Sequence, residues 1–507
     1  MARLTRIHQM LDPHVAARPD AIAVIDTDGR AVDWRAYAEH VEETTALMAT
    51  QGVRPGDRVL IVAENCLSVA VLVLACSRIG AWAVPVNARL TAAEIDRVTE
   101  HAGPKIAFYT AHVSAEAAAH ADAAGAQPCV TGFGALRCAA LMPGAVEPPE
   151  QGADRVAVIL YTTGTTGAPK GVMLTHRNLI FAAEASRDLR ALTPDDLVYG
   201  ALPMTHVFGL ASMLMAAARV GCTVELAVRF SAEGMFGALR RGATVVPAVP
   251  QMHALLMDHA ARHGHETAEA PRLRYVSSGA APLDPAWKRK AEAFYGLPLQ
   301  NGYGMTETTA GVSGTRNAIG DPDTSVGPPL PGVEVRIDQS VGAEQGVGEV
   351  LTRGPHIMKG YYRNAGDTAR AVTPDGFMCT GDLGRIDDAG RLHIVGRTKE
   401  LIIRGGFNVY PPEVETALND HPAVVQSAVV GRQAGGDEEV LAFCEVSDPN
   451  AVTEAELATF AGTRLAGYKR PSRVFIVEAL PTAPTGKILK HALLKHFSKL
   501  IEADVHR

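Results

Sequence analysis

No CxxC pair occurs in this 507-residue chain, and its seven cysteines are scattered and odd in number. That pattern points away from a disulfide framework and toward reduced, mostly buried thiols in a cytoplasmic protein. Basic charge is not in excess either. A net charge of -7 leaves no positive field to attract nucleic acid, so none is expected as a partner. The opening residues, MARLTRIHQMLDPHV, lack the long apolar stretch of a signal peptide. The most apolar run, residues 67–86, is broken by Ser77, Arg78 and Pro85 and reads as a core helix running into a strand, not as a membrane span. No internal repeat or low-complexity segment is present, and the 18 histidines form no pattern of metal ligands.

What remains is an ordinary globular composition, 47% hydrophobic and 20% charged, long enough for roughly three structural units. Residues 36–50 have helical spacing, RVLIVAEN is a short buried strand, residues 67–79 are again helical and GAWAVPVN is a strand. This alternation predicts parallel sheets covered by helices, an α/β arrangement. Residues 115–126 are Ala-rich and read as a surface helix and loop. Beyond Gly327 short β-rich pieces (VEVRI, GEVLTRG, GRLHIVG) alternate with Gly and Asp turns and predict a distorted barrel or sandwich. After Lys399 an αβ pattern marks a small C-terminal domain, with a linker near residues 397–400.

The strongest chemical signal is YTTGTTGAPKGV, residues 161–172. An apolar strand runs into glycines, threonines and a lysine. Glycines permit close backbone approach, while exposed N–H groups and hydroxyls can cradle phosphate oxygens. The GxxxxGK[ST] spacing of a Walker A loop is absent. Further along stand SGAAPL (278–283), NGYGMTET (301–308), CTGDLG (379–384), GRTKELIIRGGFNVYPPEVE (396–415) and PTAPTGKILK (481–490).

Taken together these motifs resemble the superfamily of AMP-forming acyl-CoA synthetases, peptide-synthetase adenylation domains and luciferases, over essentially the whole chain. The resemblance implies a large N-terminal domain (1–398) of two helix-covered αβ sheets plus a distorted β-barrel, and a small mobile α+β C-terminal domain (399–507). It implies that Thr163, Gly164, Thr165, Thr166, Gly167 and Lys170 surround the triphosphate. Ser278, Gly279, Ala280, Asn301, Gly302, Tyr303, Gly304 and Thr306 would line the nucleotide, with Tyr303 on the purine and Thr306 on the α-phosphate. Asp382 and Arg397 would contact the ribose, and Glu307 would hold the metal. His206, Val207, Phe208, Ala280, Gly304 and Thr308 would line the acyl pocket, His206 gating the path of the thiol. Lys399 would be the hinge, Gly405, Gly406 and Phe407 would lie along coenzyme A, and Lys487 would reach the reacting carboxylate and α-phosphate. Four positions depart from the family pattern: Thr163 stands for Ser, Phe407 for a frequent Glu, Lys490 for Arg, and GRQAGGDEEV (431–440) lacks the usual Pro-Asp turn.

The implied reaction is carboxylate, ATP and CoA giving acyl-CoA, AMP and diphosphate through an acyl-adenylate, with Mg²⁺ arriving on ATP, in a monomer or homodimer. An enzyme loading a carrier protein and a non-catalytic nucleotide-binding homologue are the rivals. An amino-acid adenylation domain would place an Asp near His206, where this chain reads MTHVFGLAS. The segments that would line the acyl group are mostly apolar, which favours an aromatic or medium-chain monocarboxylate.

The two half-reactions should separate by mutation, because the resemblance gives them different residues. Lys487→Ala should abolish adenylate formation yet leave thioester formation from supplied acyl-AMP largely intact. Gly406→Leu should do the reverse, and Lys399→Pro should resemble it, since a fixed φ restrains the hinge. Single-turnover kinetics of each step in the three variants decides it. Equal slowing of both steps by Lys487→Ala would mean that one conformation serves both.

Overall fold

The computed structural model describes residues 4–141, 144–148, 150–163, 169–279, 283–341, 345–405, 407–434, 437–446, 448, 450–483 and 488–505. Two eight-stranded sheets carry its larger part. In one, the strands run Gly360–Tyr361, Pro169–Thr175, Val156–Thr163, Trp82–Asn87, Arg58–Ala63, Ile106–Tyr109, Gly134–Ala140 and Gln127–Thr131. In the other they run Ser313–Gly314, Leu299–Tyr303, Tyr275–Gly279, Val245–Ala248, Leu197–Gly200, Thr223–Leu226, Ile22–Ile25 and Ala31–Asp33. The centres of both are parallel and the edges antiparallel. Parallel strands are buried on both faces and read as unbroken apolar runs. All six residues of Arg58–Ala63 are buried accordingly.

The helix Leu67–Ile79 is apolar all round, and residues 67–77 are buried without exception. A helix of this kind has no solvent face and belongs inside the protein. It ends where Gly80 takes a left-handed φ of 85°, accessible to glycine at no steric cost. Its Leu72 shares one continuous core with Val59 and Ile61 of the first sheet and Val198 and Val224 of the second. Each fully buried Leu or Val stabilises by about 1.5–3 kcal/mol. Among the described residues no helix is long and apolar enough to cross a membrane.

The segment for which the sequence predicts a distorted barrel is a four-stranded antiparallel sheet, Glu334–Asp338, Gly348–Arg353, Met378–Ile386 and Leu392–Arg397. Irregular register between Glu349 and Leu351, and between Leu383 and Gly384, gives it its distortion. Beyond it lies the smaller C-terminal unit. A hairpin of Ile402–Arg404 and Phe407–Val409 leads to the helix Pro411–Asn419 and a sheet ordered Val424–Ala434, Asp437–Val446, Arg473–Val477. This unit has its own core around Val414, Val429, Ala442 and Leu457. The last strand, RVFIV, was not among the strands expected from the sequence. All seven cysteines are free thiols, five of them buried.

One buried base has its protonation set by this packing. His253, on the helix Pro250–Arg262, is fully buried, with Nε2 3.1 Å from Ser277 O and Nδ1 2.7 Å from Tyr295 Oη. A carbonyl only accepts, so Nε2 carries the hydrogen and Nδ1 accepts the tyrosine hydroxyl. Burial holds its pKa down at about 4. An unfolded histidine takes its proton near pH 6.5, so between 6.5 and 4 the unfolded chain binds more protons. This residue's stabilising contribution is therefore complete above pH 6.5 and is lost as pH falls, by up to ~1.4 kcal/mol per unit. Urea unfolding at pH 7, 6 and 5 should show a pH slope shallower by close to one proton in His253→Gln than in the parent. Parallel slopes would mean that His253 does not titrate in this way.

Candidate active site

The threonine/glycine loop joins two paired strands. Val156–Thr163 and Pro169–Thr175 are antiparallel, with Thr162 opposite Lys170 and Thr163 opposite Pro169. The loop's Gly164, Thr165, Thr166 and Gly167, and the Thr163 side chain, lie outside the described residues. Its base is tight. A Cβ on Gly171 would stand 2.9 Å from Ile159 Cγ2 and 3.1 Å from Tyr161 Cζ. Lys170 leaves the second strand with Nζ 2.8 Å from Asp367 Oδ2 and 5.0 Å from the centre of the Tyr361 ring.

Two neighbouring parallel strands, Tyr275–Gly279 and Leu299–Tyr303, end side by side, with Ser278 opposite Asn301 and Gly279 opposite Gly302. Carboxyl ends of parallel strands are where open α/β sheets hold ligands. Ala280 lies outside the described residues. Past Tyr303 the chain doubles back so sharply that a Cβ on Gly304 would lie 2.1 Å from Ala310 O, so only glycine fits. Thr306, Glu307 and Thr308 form one buried turn. The Thr308 hydroxyl accepts from Met305 N at 2.9 Å and is committed to that turn. Asn301 is committed too: its amide donates to Ser325 O at 3.1 Å and its carbonyl accepts from Gly302 N at 3.0 Å. It shapes the strand end by its side chain.

Glu307 Oε1 accepts the Tyr361 hydroxyl at 2.9 Å, and its backbone carbonyl accepts from Met358 N at 2.8 Å. A carboxylate has about four acceptor positions, so one phenol leaves room for a hard cation. Among the described residues no three His, Cys, Asp or Glu side chains gather as a metal site. A single carboxylate donor fits Mg²⁺, which keeps waters and takes other ligands from substrate phosphates.

A third cluster joins the sheets. Asp382 and Arg397 face each other across adjacent strands, with Arg397 Nε 2.9 Å from Asp382 Oδ1. Tyr303 Oη donates to the other oxygen at 2.5 Å. Burial and the Asp382 charge push the Tyr303 phenol well above its usual range, so it stays protonated. Burial opposes the charge on Arg397, but Asp382 and Glu400 outweigh it and the guanidinium pKa is raised. Both oxygens of the carboxylate are thus held and oriented.

On the opposite side, His206 N donates to Pro203 O at 3.0 Å and Leu210 N to His206 O at 2.9 Å. These bonds close the turn through His206 and Val207 that leads into the π-helix Phe208–Met215, a form frequent at functional sites. A Cβ on Gly279 would lie 3.3 Å from the Phe208 ring, so that ring covers the end of the strand Tyr275–Gly279. Asn65 holds this loop. Its amide donates to Gly200 O at 3.2 Å and Leu202 O at 2.9 Å, and its carbonyl accepts from Met204 N at 2.8 Å. Sequence reasoning missed Asn65, Tyr361 and Asp367. The signal for Asn65 was its place at the carboxyl end of a parallel strand.

Lys399 sits exposed in the turn after the strand Leu392–Arg397. Gly405, at φ 57°, donates its N–H to Asp437 at 2.8 Å, and Phe407 stacks on Tyr468 with ring centres 4.8 Å apart. Gly406 and Lys487 lie outside the described residues. Lys490 bridges Glu415 at 2.7 Å and Glu400 at 3.5 Å, so the family's arginine position keeps a cation between the small unit and the turn at Lys399.

A threonine/glycine loop between paired strands, a buried carboxylate held by a tyrosine and an arginine, and a second buried carboxylate on a tight turn thus stand ahead of a small αβ unit. The chain belongs to the AMP-binding enzyme family: that family matches residues 11–362, and the AMP-binding enzyme C-terminal domain matches residues 413–487. It is 34% identical over 467 residues to the long-chain-fatty-acid–CoA ligase FadD13 of Mycobacterium tuberculosis (strain ATCC 25618 / H37Rv), covering 90% of this chain and 91% of that one. It is 32% identical over 530 residues to 4-coumarate–CoA ligase 5 of Oryza sativa subsp. japonica, covering 96% and 94%. Among solved structures it superposes on the O-succinylbenzoate coenzyme A synthetase MenE of Bacillus subtilis, in complex with ATP and magnesium ion, with TM-score 0.80 at 28% identity over 96% and 99% of the two chains. Its reaction class is that of an AMP-forming acid–CoA ligase using ATP, Mg²⁺ and coenzyme A.

The expected ribose contact of Asp382 can be tested with Asp382→Asn, which keeps the side chain's shape and removes its charge. Hydrogen bonds to charged groups contribute about 1.5–3 kcal/mol, so KM for ATP in pyrophosphate exchange should rise ~10- to 100-fold. An unchanged KM would place the ribose elsewhere.

Proposed function

We propose that the enzyme activates a monocarboxylic acid with an uncharged aromatic or medium-chain tail, in the cytoplasm, using residues 1–398 as the adenylating body and residues 399–507 as the moving domain. The observation that carries the substrate class is the absence of a cation where the acyl group would lie. Residues 207–213, 246–256, 278–281 and 302–309 contain no lysine or arginine. The one base in residues 246–256, His253, has both ring nitrogens engaged and its pKa held at about 4, so it is neutral near pH 7. A second carboxylate buried there would lack a partner and would cost several kcal/mol.

Positioning and electrostatics do the work, without a covalent enzyme intermediate. Asp382 and Arg397 hold the ribose while Tyr303 covers the purine. Lys170 and the threonine loop surround the triphosphate, and Thr306 meets the α-phosphate. Mg²⁺, when bound at Glu307, neutralises charge on the departing pyrophosphate. Lys487 offsets charge as the substrate carboxylate attacks the α-phosphorus in line. The small domain then turns about Lys399, His206 opens the path, and the segment of Gly405, Gly406 and Phe407 admits the CoA thiol, which displaces AMP. The free thiols support a reducing compartment.

Benzoate, cinnamates, hexanoate and octanoate should outperform malonate and succinate when compared at equal concentration by AMP release. A preference for either dicarboxylate would sink this reading and imply a cation reaching the pocket from another segment.

A further inference from the structure

Lys170 and Glu307 sit on segments remote in sequence, yet one side chain touches both. The Tyr361 hydroxyl donates to Glu307 Oε1 at 2.9 Å, and Lys170 Nζ stands 5.0 Å from the centre of the same ring. Tyr361 is held firmly itself. It is buried, pairs with Val172 on the strand that carries Lys170, and donates its backbone N–H to Thr368 Oγ1 at 2.9 Å. Asp367, one residue before Thr368, grips Lys170 Nζ at 2.8 Å from the other side. Three residues before Tyr361, Met358 N donates to Glu307 O at 2.8 Å. The segment 358–368 is thus bonded to the lysine of the phosphate loop, to the backbone of the metal turn and to the metal carboxylate.

We propose that Tyr361 is a positioning residue for adenylation: its hydroxyl fixes one oxygen of Glu307 so that the carboxylate presents the rest of its acceptor capacity to Mg²⁺–ATP, while its ring keeps Lys170 beside the same triphosphate. This rests on the assignment of Glu307 as the metal carboxylate. A carboxylate that can rotate must be ordered when the metal arrives, whereas one already held by a charge-assisted O–H···O⁻ bond is preorganised. Outer partners of this kind orient metal ligands, and their loss typically weakens metal binding by about 10- to 100-fold. A phenol ordinarily keeps its proton well above neutral pH, so the hydroxyl is available as a donor. Its ring gives Lys170 a cation–π face, and Asp367 a counter-charge, so the ammonium is aimed before nucleotide binds.

The test is Mn²⁺ binding, followed by electron paramagnetic resonance, to the full-length enzyme saturated with α,β-methylene-ATP. Tyr361→Phe removes the hydroxyl and keeps the ring; it should weaken Mn²⁺ by about 10- to 100-fold and raise the Mg²⁺ concentration for half-maximal pyrophosphate exchange in parallel. Tyr361→Leu also removes the ring and should add a rise in KM for ATP that Tyr361→Phe does not show. Glu307→Gln separates the levels. If it weakens Mn²⁺ while Tyr361→Phe, folded by circular dichroism, leaves Mn²⁺ affinity at the parent value, the positioning role is overturned and the metal assignment stands. If Glu307→Gln leaves Mn²⁺ affinity unchanged, the metal assignment itself fails and the proposal with it.

Discussion

Asn65 follows the strand Arg58–Ala63 of one large sheet and hydrogen-bonds the chain leaving the strand Leu197–Gly200 of the other. Its side chain is buried and meets two carbonyls and one N–H, groups that would otherwise stand desolvated at the seam. Around it runs the shared core of the helix Leu67–Ile79, which is apolar and therefore directionless. Burial alone would let the sheets slide over one another. Directional bonds at Asn65 set where one sheet stops against the other, and with it where His206 and Phe208 stand relative to the end of the strand Tyr275–Gly279.

Charge is arranged on the same logic. Asp382 is buried, and Arg397 and Tyr303 each take one of its oxygens. Glu307 is buried beside a phenol that cannot readily deprotonate. Lys170 lies between a carboxylate and an aromatic face. In each case the partner holds a charge in place before substrate arrives, and such preorganisation is what makes electrostatic stabilisation effective in a site with little water. His253, by contrast, is kept neutral near pH 7 by its burial, which holds its pKa at about 4.

Tyr410 of the small unit packs with Val347 and Leu383 of the body and lies against Gly396. Lys490 pairs with Glu415 at 2.7 Å and with Glu400 at 3.5 Å, both within the small unit.

The reaction class was legible in the residues alone, because it resides in short segments whose residue types act locally. YTTGTTGAPKGV, NGYGMTET and CTGDLG each bring their glycines, hydroxyls and carboxylates within a few positions, and the backbone turn they need is encoded by the same glycines. The parallel sheets were legible for a similar reason, since VLIVA (59–63) is apolar without interruption and a strand buried on both faces has no alternation to show. What only the tertiary structure decided are contacts across long stretches of chain. Tyr361 meets Glu307 across 54 residues and Asn65 meets Met204 across 139. A tyrosine in GYY or an asparagine after a strand carries no mark of its partner, because sheet register and packing choose it. The neutral state of His253 was equally hidden. A histidine's charge is set by its surroundings, and those exist only once the helix Pro250–Arg262 lies on the strand Tyr275–Gly279.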